Sequence, residues 1–329
     1  MDKVLCSIGT RGRYDTTLPL ALAAIINQTK RPDKVVIFDD NENPRDVRNE
    51  LIYKNLFQMM DIKGIEWEWR FAAKKGTHHN HQAANTMGYK WVWRMDDDAI
   101  PEANVLHELF SWTLHDPNLG AVGGSILTPP LQFEESFPTA TMANIDAEPN
   151  IQWKYIHKRK KVEHLHCSFL YRAGIVDYHL GLSKVAHREE TLFSNALHQK
   201  GYDLYVVPNA VTWHLKNPNG GIRSETDQSM YAHDEQIFQN FQKFKNNTIV
   251  ILNCGMGDHL VFSEILPYIK NPIVFSCYPE IVAGESIAAA KALFGDIDQW
   301  NIYLKMAQWK WTGSLNEAFR KMYLSLIHI

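Results

Sequence analysis

The sequence is poor in cysteine. Its 329 residues include four, Cys6, Cys167, Cys254 and Cys277, and no two of them form a C-x-x-C pair. Each lies among apolar neighbours, so buried free thiols in a reducing compartment are the simplest account. Long hydrophobic runs are missing as well. Nothing approaches the roughly 18 consecutive apolar residues of a membrane-spanning helix, so no transmembrane segment is expected. The chain enters a strand-like run at residues 4–8 without a charged segment followed by a long apolar one. No signal peptide is expected, and a cytoplasmic location follows as the expectation. There is no basic excess either: the formal net charge is -3. That argues against a general nucleic-acid binder, although a local basic groove stays open. The one dense basic cluster, His157-Lys158-Arg159-Lys160-Lys161, reads first as a solvated loop. Internal repeats and low-complexity segments are absent.

What is there is an ordinary globular composition, 45% hydrophobic and 22% charged. The length suggests one large domain and a smaller one, here residues 1–245 and 246–329. Residues 3–8 form a β-like run ending at Gly9-Thr10-Arg11-Gly12. A helical stretch follows over residues 18–26, with Leu18, Ala21, Leu22, Ile25 and Ile26 on one face. Residues 34–38 form a second strand ending in Asp39-Asp40. Strand, helix and strand with acidic residues at the second strand's carboxyl end is the start of an α/β sheet, whose ligands sit outside the carboxyl ends of the strands.

The pattern continues with a helix over 44–60 opened by Pro44, a strand over 65–71, a helix over 80–87 and a strand over 91–95. A helix over 103–114 and a buried strand over 120–127 come next. Residues 128–160 are irregular, and a long irregular stretch inside a domain is usually functional. A strand over 165–171, a helix over 190–199, a strand over 203–207 before Pro208, a loop over 217–230 and a helix over 231–245 complete the first part. The pattern then restarts: a strand over 248–253, the turn Gly255-Met256-Gly257-Asp258, a helix over 259–268, a strand over 273–277 and at least two more helices.

The strongest chemical signal is Asp96-Asp97-Asp98 leaving the apolar run Trp91-Val92-Trp93-Arg94-Met95. Carboxylates at the end of a buried strand are costly unless something positive neutralises them. A hard divalent cation does this with one or two carboxylates plus phosphate oxygens. A charged turn is the alternative. Asp39-Asp40 could hydrogen-bond the base of a nucleotide, or be an ordinary turn. Glu189-Glu190 opens a helix, and His214 closes a strand-like run, where an imidazole could serve as a further metal ligand or as a structural hydrogen-bonder.

Taken in order, these segments resemble the GT-A glycosyltransferases, in particular the inverting family-2 group, over about residues 3–215. The opening Val4-Leu5-Cys6-Ser7-Ile8-Gly9-Thr10-Arg11-Gly12-Arg13 resembles that family's first strand and donor loop. Asn27-Gln28-Thr29 with Pro32, Val35-Val36-Ile37-Phe38-Asp39-Asp40-Asn41 and Asp96-Asp97-Asp98-Ala99-Ile100-Pro101 resemble its helix-to-strand turn, base-binding strand end and metal motif. Glu189-Glu190 stands where the family usually has Glu-Asp, and Gly201-Tyr202 through Pro208 to His214 resembles its closing strand and metal histidine. The fold this implies is a Rossmann-like mixed sheet flanked by helices, plus a small C-terminal α/β module.

The implied activity is transfer of a sugar, with inversion, from a nucleotide-diphosphate sugar (a UDP-sugar first) to an acceptor hydroxyl, assisted by Mn²⁺ or Mg²⁺. The implied roles are Thr10, Arg11, Asp39, Asp40, Asp96 and Asp97 on the donor, Asp98 and His214 on the metal, and Glu190 or its neighbour Glu189 as general base. Arg11, Arg13, Lys74 and Lys75 are candidates for further phosphate contacts, or are solvated surface charge. Acceptor choice is expected from residues 128–160 and 167–172, with Trp153, Tyr155 and Phe169 as stacking candidates or core residues.

Residues 248–259 resemble the first strand and glycine turn of heptosyltransferase-like GT-B proteins. The segment is too short for a complete GT-B fold, so packing, acceptor docking or homo-oligomer formation is expected of it. A glycan or other hydroxyl acceptor is the expected partner, and nucleic acid is not. The competing readings are a sugar nucleotidyltransferase and a non-catalytic nucleotide-sugar or glycan-binding protein.

Overall fold

The structure is a computed structural model that describes residues 2–129, 139–141, 152–154, 158–217, 219–244, 248–252, 256–269 and 272–276. The chain divides into two compact units, the first running to Gln242 and the second from Lys243 to Ile327.

The first unit begins with β1 (Val4–Thr10), α1 (Thr17–Ile26), β2 (Lys34–Asp39), α2 (Leu51–Ile62), β3 (Glu66–Phe71), α3 (Thr77–Asn85), β4 (Trp91–Asp96), β5 (Ala99–Pro101), α4 (Val105–Trp112) and β6 (Leu119–Leu127). It continues with β7 (Thr139–Thr141), β8 (Gln152–Lys154), β9 (Lys160–Val162), β10 (Ser168–Arg172), α5 (Glu189–Gln199), β11 (Asp203–His214), a 3-10 turn at Gly221–Ser224 and α6 (Gln228–Phe244).

β1, β2 and β4 are near-continuous apolar runs because both faces of their sheet are covered. Alternation along β1 sorts the side chains. Val4, Cys6 and Ile8 join the core under α1, α2 and α4 with Leu18, Leu22, Tyr53 and Leu106. Leu5 joins the opposite core with Val92, Phe169, Tyr171 and Phe193. The buried face of α1, Leu18, Ala21, Leu22, Ile25 and Ile26, follows the helical repeat.

The nine-stranded sheet has the order β3-β2-β1-β4-β10-β6-β11-β5, with β9 also on β11. β3, β2, β1 and β4 run parallel to one another. β10 is antiparallel to both β4 and β6, and β11 is parallel to β6. Register sets Thr10 beside Asp39 and Gly9 beside Asp96. The carboxyl ends of β1, β2 and β4 therefore open on one edge. Because β10 runs the other way, its amino end meets that edge too, with Ser168 opposite Met95.

The structure differs from the sequence reading at several boundaries. α2 starts at Leu51 rather than at Pro44. In the preceding segment the Asp46 carboxylate accepts the Arg48 amide at 3.1 Å and pairs with its guanidinium. Such local bonds compete with helix. β10 begins at Ser168 rather than residue 165, because Cys167 turns the chain with φ 63°. β11 does not stop at Pro208. It continues to His214, with an irregularity between Val207 and Val211 that accommodates the missing amide. β5, which the sequence reading lacks, pairs with the end of β11.

In the second unit β12 (Thr248–Leu252), α7 (Met256–Ile265) and β13 (Pro272–Ser276) form a parallel strand–helix–strand unit. Cys6 and Cys167 are buried free thiols. Cys254, Cys277 and the aromatic-rich stretch after residue 277 lie outside the described residues, as do the side chains of Trp153 and Tyr155.

Gly124 of β6 lies against the irregular part of β11, where an added Cβ would overlap the backbone carbonyl of Ala210. Gly124→Ala is expected to lower stability by about 3 kcal/mol, the upper range for overpacking, read as a drop in the urea midpoint at unchanged slope.

Candidate active site

The site is organised around a buried cation. Arg94 lies within β4, on the face opposite Trp93 and Met95, and is 3% exposed. A guanidinium there would be very unfavourable alone. It meets three carboxylates: Asp96 at 2.9 Å, Glu190 at 2.6 Å, and Glu189. It also donates to the Cys167 carbonyl at 3.0 Å. Burial favours losing its proton, but Asp96, Glu190 and Glu189 outweigh that and hold it charged.

Glu189 and Glu190 begin α5, where the helix dipole favours negative charge. Arg188 just before them takes a left-handed conformation, φ 70°. Glu190 accepts the Cys167 amide at 2.7 Å on Oε1 and faces His166 Nδ1 at 2.9 Å on Oε2. Burial pushes its carboxyl up, yet Arg94 and then His166 outweigh this and hold it well below the usual range. Glu189 is more deeply buried, and burial, only partly offset by Arg94, raises it to about 7.

The acidic triplet is divided by its geometry. Asp96 ends β4, and burial raises its carboxyl against the pull of Arg94. Asp97 accepts the Arg11 amide at 3.3 Å and pairs with the Arg13 guanidinium. Burial takes it to about 6 in spite of Arg13. Asp98 meets Arg13 at 3.2 Å through Oδ2 and His214 Nε2 at 3.4 Å through Oδ1. The β5–β11 pairing causes this last contact, since it sets His214 opposite Ala99.

These residues fit a divalent ion. Two donors on one octahedral ion with bonds of about 2.1 Å lie about 3 Å apart, close to the Asp98–His214 separation. Asp96, Cys167 and His214 also offer atoms within 4.8 Å of one another. Burial raises the Cys167 thiol far above its ordinary value, which leaves the oxygen and nitrogen donors as the fitting set.

At the end of β2, Asp40 accepts the Gly76 amide at 2.9 Å and pairs with the Arg11 guanidinium. Arg11 also donates to the Lys184 carbonyl at 3.0 Å, while its own carbonyl accepts the Gly221 amide at 2.8 Å. One cavity of about 270 Å³ opens over all of this. Thr10, Arg11, Asp40, Asp96, Asp97, Asp98, Glu189, Glu190 and His214 all line it.

Asp39 is not among the lining residues. It is buried behind them, where its carboxylate accepts the Tyr14 hydroxyl and the Asn41 side-chain amide. Arg13 lines the cavity with its guanidinium committed to Asp97 and Asp98. Lys74 and Lys75 do not line it, and Lys75 donates to the Asn41 carbonyl. Phe169 corrects the stacking expectation. It is fully buried in the middle of β10 and packs on Phe193, because that strand is central to the sheet. None of residues 167–172, where acceptor contacts were also expected, is among the lining residues.

The sequence reading missed Arg94, His166, Thr77, Asn80 and the segment 184–187, all of which line the cavity. A charged residue inside an otherwise apolar strand was a usable signal for Arg94, and the His-x-His spacing for His166.

A mixed sheet flanked by helices, with its acidic strand ends gathered at one edge, has the architecture of the GT-A, Rossmann-like fold. A family model described as glycosyl transferase family 2 matches residues 10–178, just over half of the chain, and the chain belongs to that family. The matched span takes in Thr10, Asp40 and Asp96 to Asp98, while Glu189, Glu190 and His214 lie beyond it. No curated protein matches the chain. Among the described residues, no helix is long and apolar enough to cross a membrane.

Two outcomes follow for the buried charges. Arg94→Leu leaves the carboxylates uncompensated and is expected to lower stability by about 3–5 kcal/mol, measured by chemical denaturation at neutral pH. Glu189, raised from 4.5 to about 7, holds more proton in the folded than in the unfolded chain between those values. Stability should therefore fall as pH rises through that window, and Glu189→Gln should flatten the slope of the urea midpoint against pH.

Proposed function

We propose that the chain transfers a sugar from a nucleotide-diphosphate sugar, a UDP-sugar first among them, to an acceptor hydroxyl with inversion, and that Glu190 is the general base. Family membership supports sugar transfer from a nucleotide donor. The observation that carries the finer reading is the gathering of Asp40, Asp96, Asp98, His214 and Glu190 around one cavity at the carboxyl edge of the parallel strands.

Thr10 and Asp40 hold the nucleoside at the ends of β1 and β2. Asp96 takes the ribose side. Asp98 and His214 would hold a Mn²⁺ or Mg²⁺ ion. Bound there, the ion supplies positive charge where the departing diphosphate becomes more negative. As in glycoside hydrolysis, the anomeric carbon gains oxocarbenium character, and an acceptor hydroxyl attacking its opposite face must lose a proton.

Glu190 suits that step better than Glu189. Its side chain is 16% exposed against 4% for Glu189. Arg94 and then His166 outweigh burial and keep it ionised at neutral pH, at the cost of making it the weaker base of the two. Glu189 gives one oxygen to Arg94 and serves to place that guanidinium. Residues 246–329 complete the proposal as a module for packing, acceptor docking or self-association, with no part in the chemistry.

Asp98→Ala is expected to abolish the Mn²⁺-dependent rise in melting temperature that a UDP-sugar gives the wild-type chain. Glu190→Gln should keep that rise and lose about a hundredfold or more of the transfer rate. Wild-type transfer by the Gln variant would remove Glu190 from the role. Absence of any nucleotide-sugar shift in the wild-type chain would remove the donor reading itself.

A further inference from the structure

His164, beside the His166–Glu190 pair, has no part in the reading above. The backbone from Glu163 to Cys167 leads into β10, and the side chains of His164 and His166, two residues apart, lie side by side. Their rings are 6.3 Å apart and within 25° of parallel. His166 lines the cavity, and His164 stands behind it, 1% exposed. Neither ring nitrogen of His164 has a hydrogen-bond partner among the described residues. A buried polar group in that state is unfavourable and calls for a partner that the described residues do not supply. His164, His166 and Glu190 each offer one ligand atom, and these atoms all lie within 4.8 Å of one another.

We propose that His164, His166 and Glu190 form a binding site for Zn²⁺, distinct from the Asp98–His214 pair, and that Zn²⁺ there inhibits sugar transfer by occupying Glu190. Two imidazole nitrogens and one carboxylate oxygen, with a fourth position open, make a donor set typical of zinc. The Asp98–His214 pair, with the phosphate oxygens of a donor, is richer in oxygen and suits Mn²⁺ or Mg²⁺. The ion reaches the site from the cavity, past His166 and Glu190. It replaces the His166–Glu190 hydrogen bond with bonds to both partners. The binding half of the proposal stands on these residues alone, and the inhibition half rests on Glu190 as the base.

The test is Zn²⁺ titration of the full chain against a chromophoric chelator, for the wild type and for His166→Gln, His164→Asn and Asp98→Ala. Thermal melts of each variant confirm that it is folded. His166→Gln changes a partly exposed side chain, so it provides the readout if His164→Asn does not fold. The expected result is one Zn²⁺ site that survives Asp98→Ala and weakens by more than about tenfold in both histidine variants, since even loss of an outer partner costs that much. Zn²⁺ should also inhibit wild-type transfer without displacing the nucleotide sugar. Zn²⁺ affinity unchanged in the histidine variants overturns the site. So does Zn²⁺ binding that disappears in Asp98→Ala and persists in His166→Gln. Binding with the expected variant pattern but no inhibition upholds the site and removes Glu190 as the base.

Discussion

The interior of this molecule is built around one buried cation with three anionic partners. Arg94 draws Asp96 from the strand end and Glu189 and Glu190 from α5 to a single point. None of the four groups could lie there alone, because each would carry an unpaired charge away from water. Together they tie the carboxyl end of β4 to the amino end of α5, nearly a hundred residues later in the chain. The Cys167 carbonyl and amide complete the knot, one on Arg94 and one on Glu190. The same balance leaves Glu190 ionised and Glu189 inclined to keep its proton. Two adjacent carboxyl groups thus acquire different chemistry from their surroundings rather than from their type.

A second cation does for the acidic triplet what Arg94 does for the glutamates. Arg13, in the loop after β1, pairs with Asp97 and Asp98. It also donates to the backbone carbonyls of Asn217 and Asn219. The loop that follows β1 is thereby bound to the loop that follows β11, and the cavity is closed by residues from both ends of the domain. Of the two sequence readings of Arg13, phosphate contact or solvated surface charge, burial removes the second, and the guanidinium balances charge within the protein. An ion bound at Asp98 and His214 would share that carboxylate with a guanidinium already in place.

The strands of the parallel half were legible in the sequence because a short apolar run bounded by turn residues reads as a strand buried on both faces. β1, β2 and β4 fall within a residue or two of their expected limits. The acidic ends of β2 and β4 were legible for the same reason: a carboxylate at the end of such a run stands out. Elements governed by local side-chain bonds or by pairing with a distant strand were not. The segment before α2 looked helical until the Asp46–Arg48 contact took its backbone. β5 is three residues long and exists only because β11 lies beside it. Pro208 looked like the end of a strand, and only the irregular register against β6 lets that strand run on.

By itself the sequence determined the class of sheet and the acidic strand ends. These depend on composition and periodicity within short windows. Tertiary structure decided which of those residues share a cavity. Asp39 and Asp40 are neighbours in the chain, yet alternation along β2 and its end sends one into the core and the other to the cavity. Arg94, His164 and His166 gain their meaning only from β10, which runs antiparallel between β4 and β6 and brings its amino end to Asp96 and Glu190. Contacts across seventy to a hundred residues of chain leave no local periodicity. They arise because burying one charge obliges the fold to bring its partners.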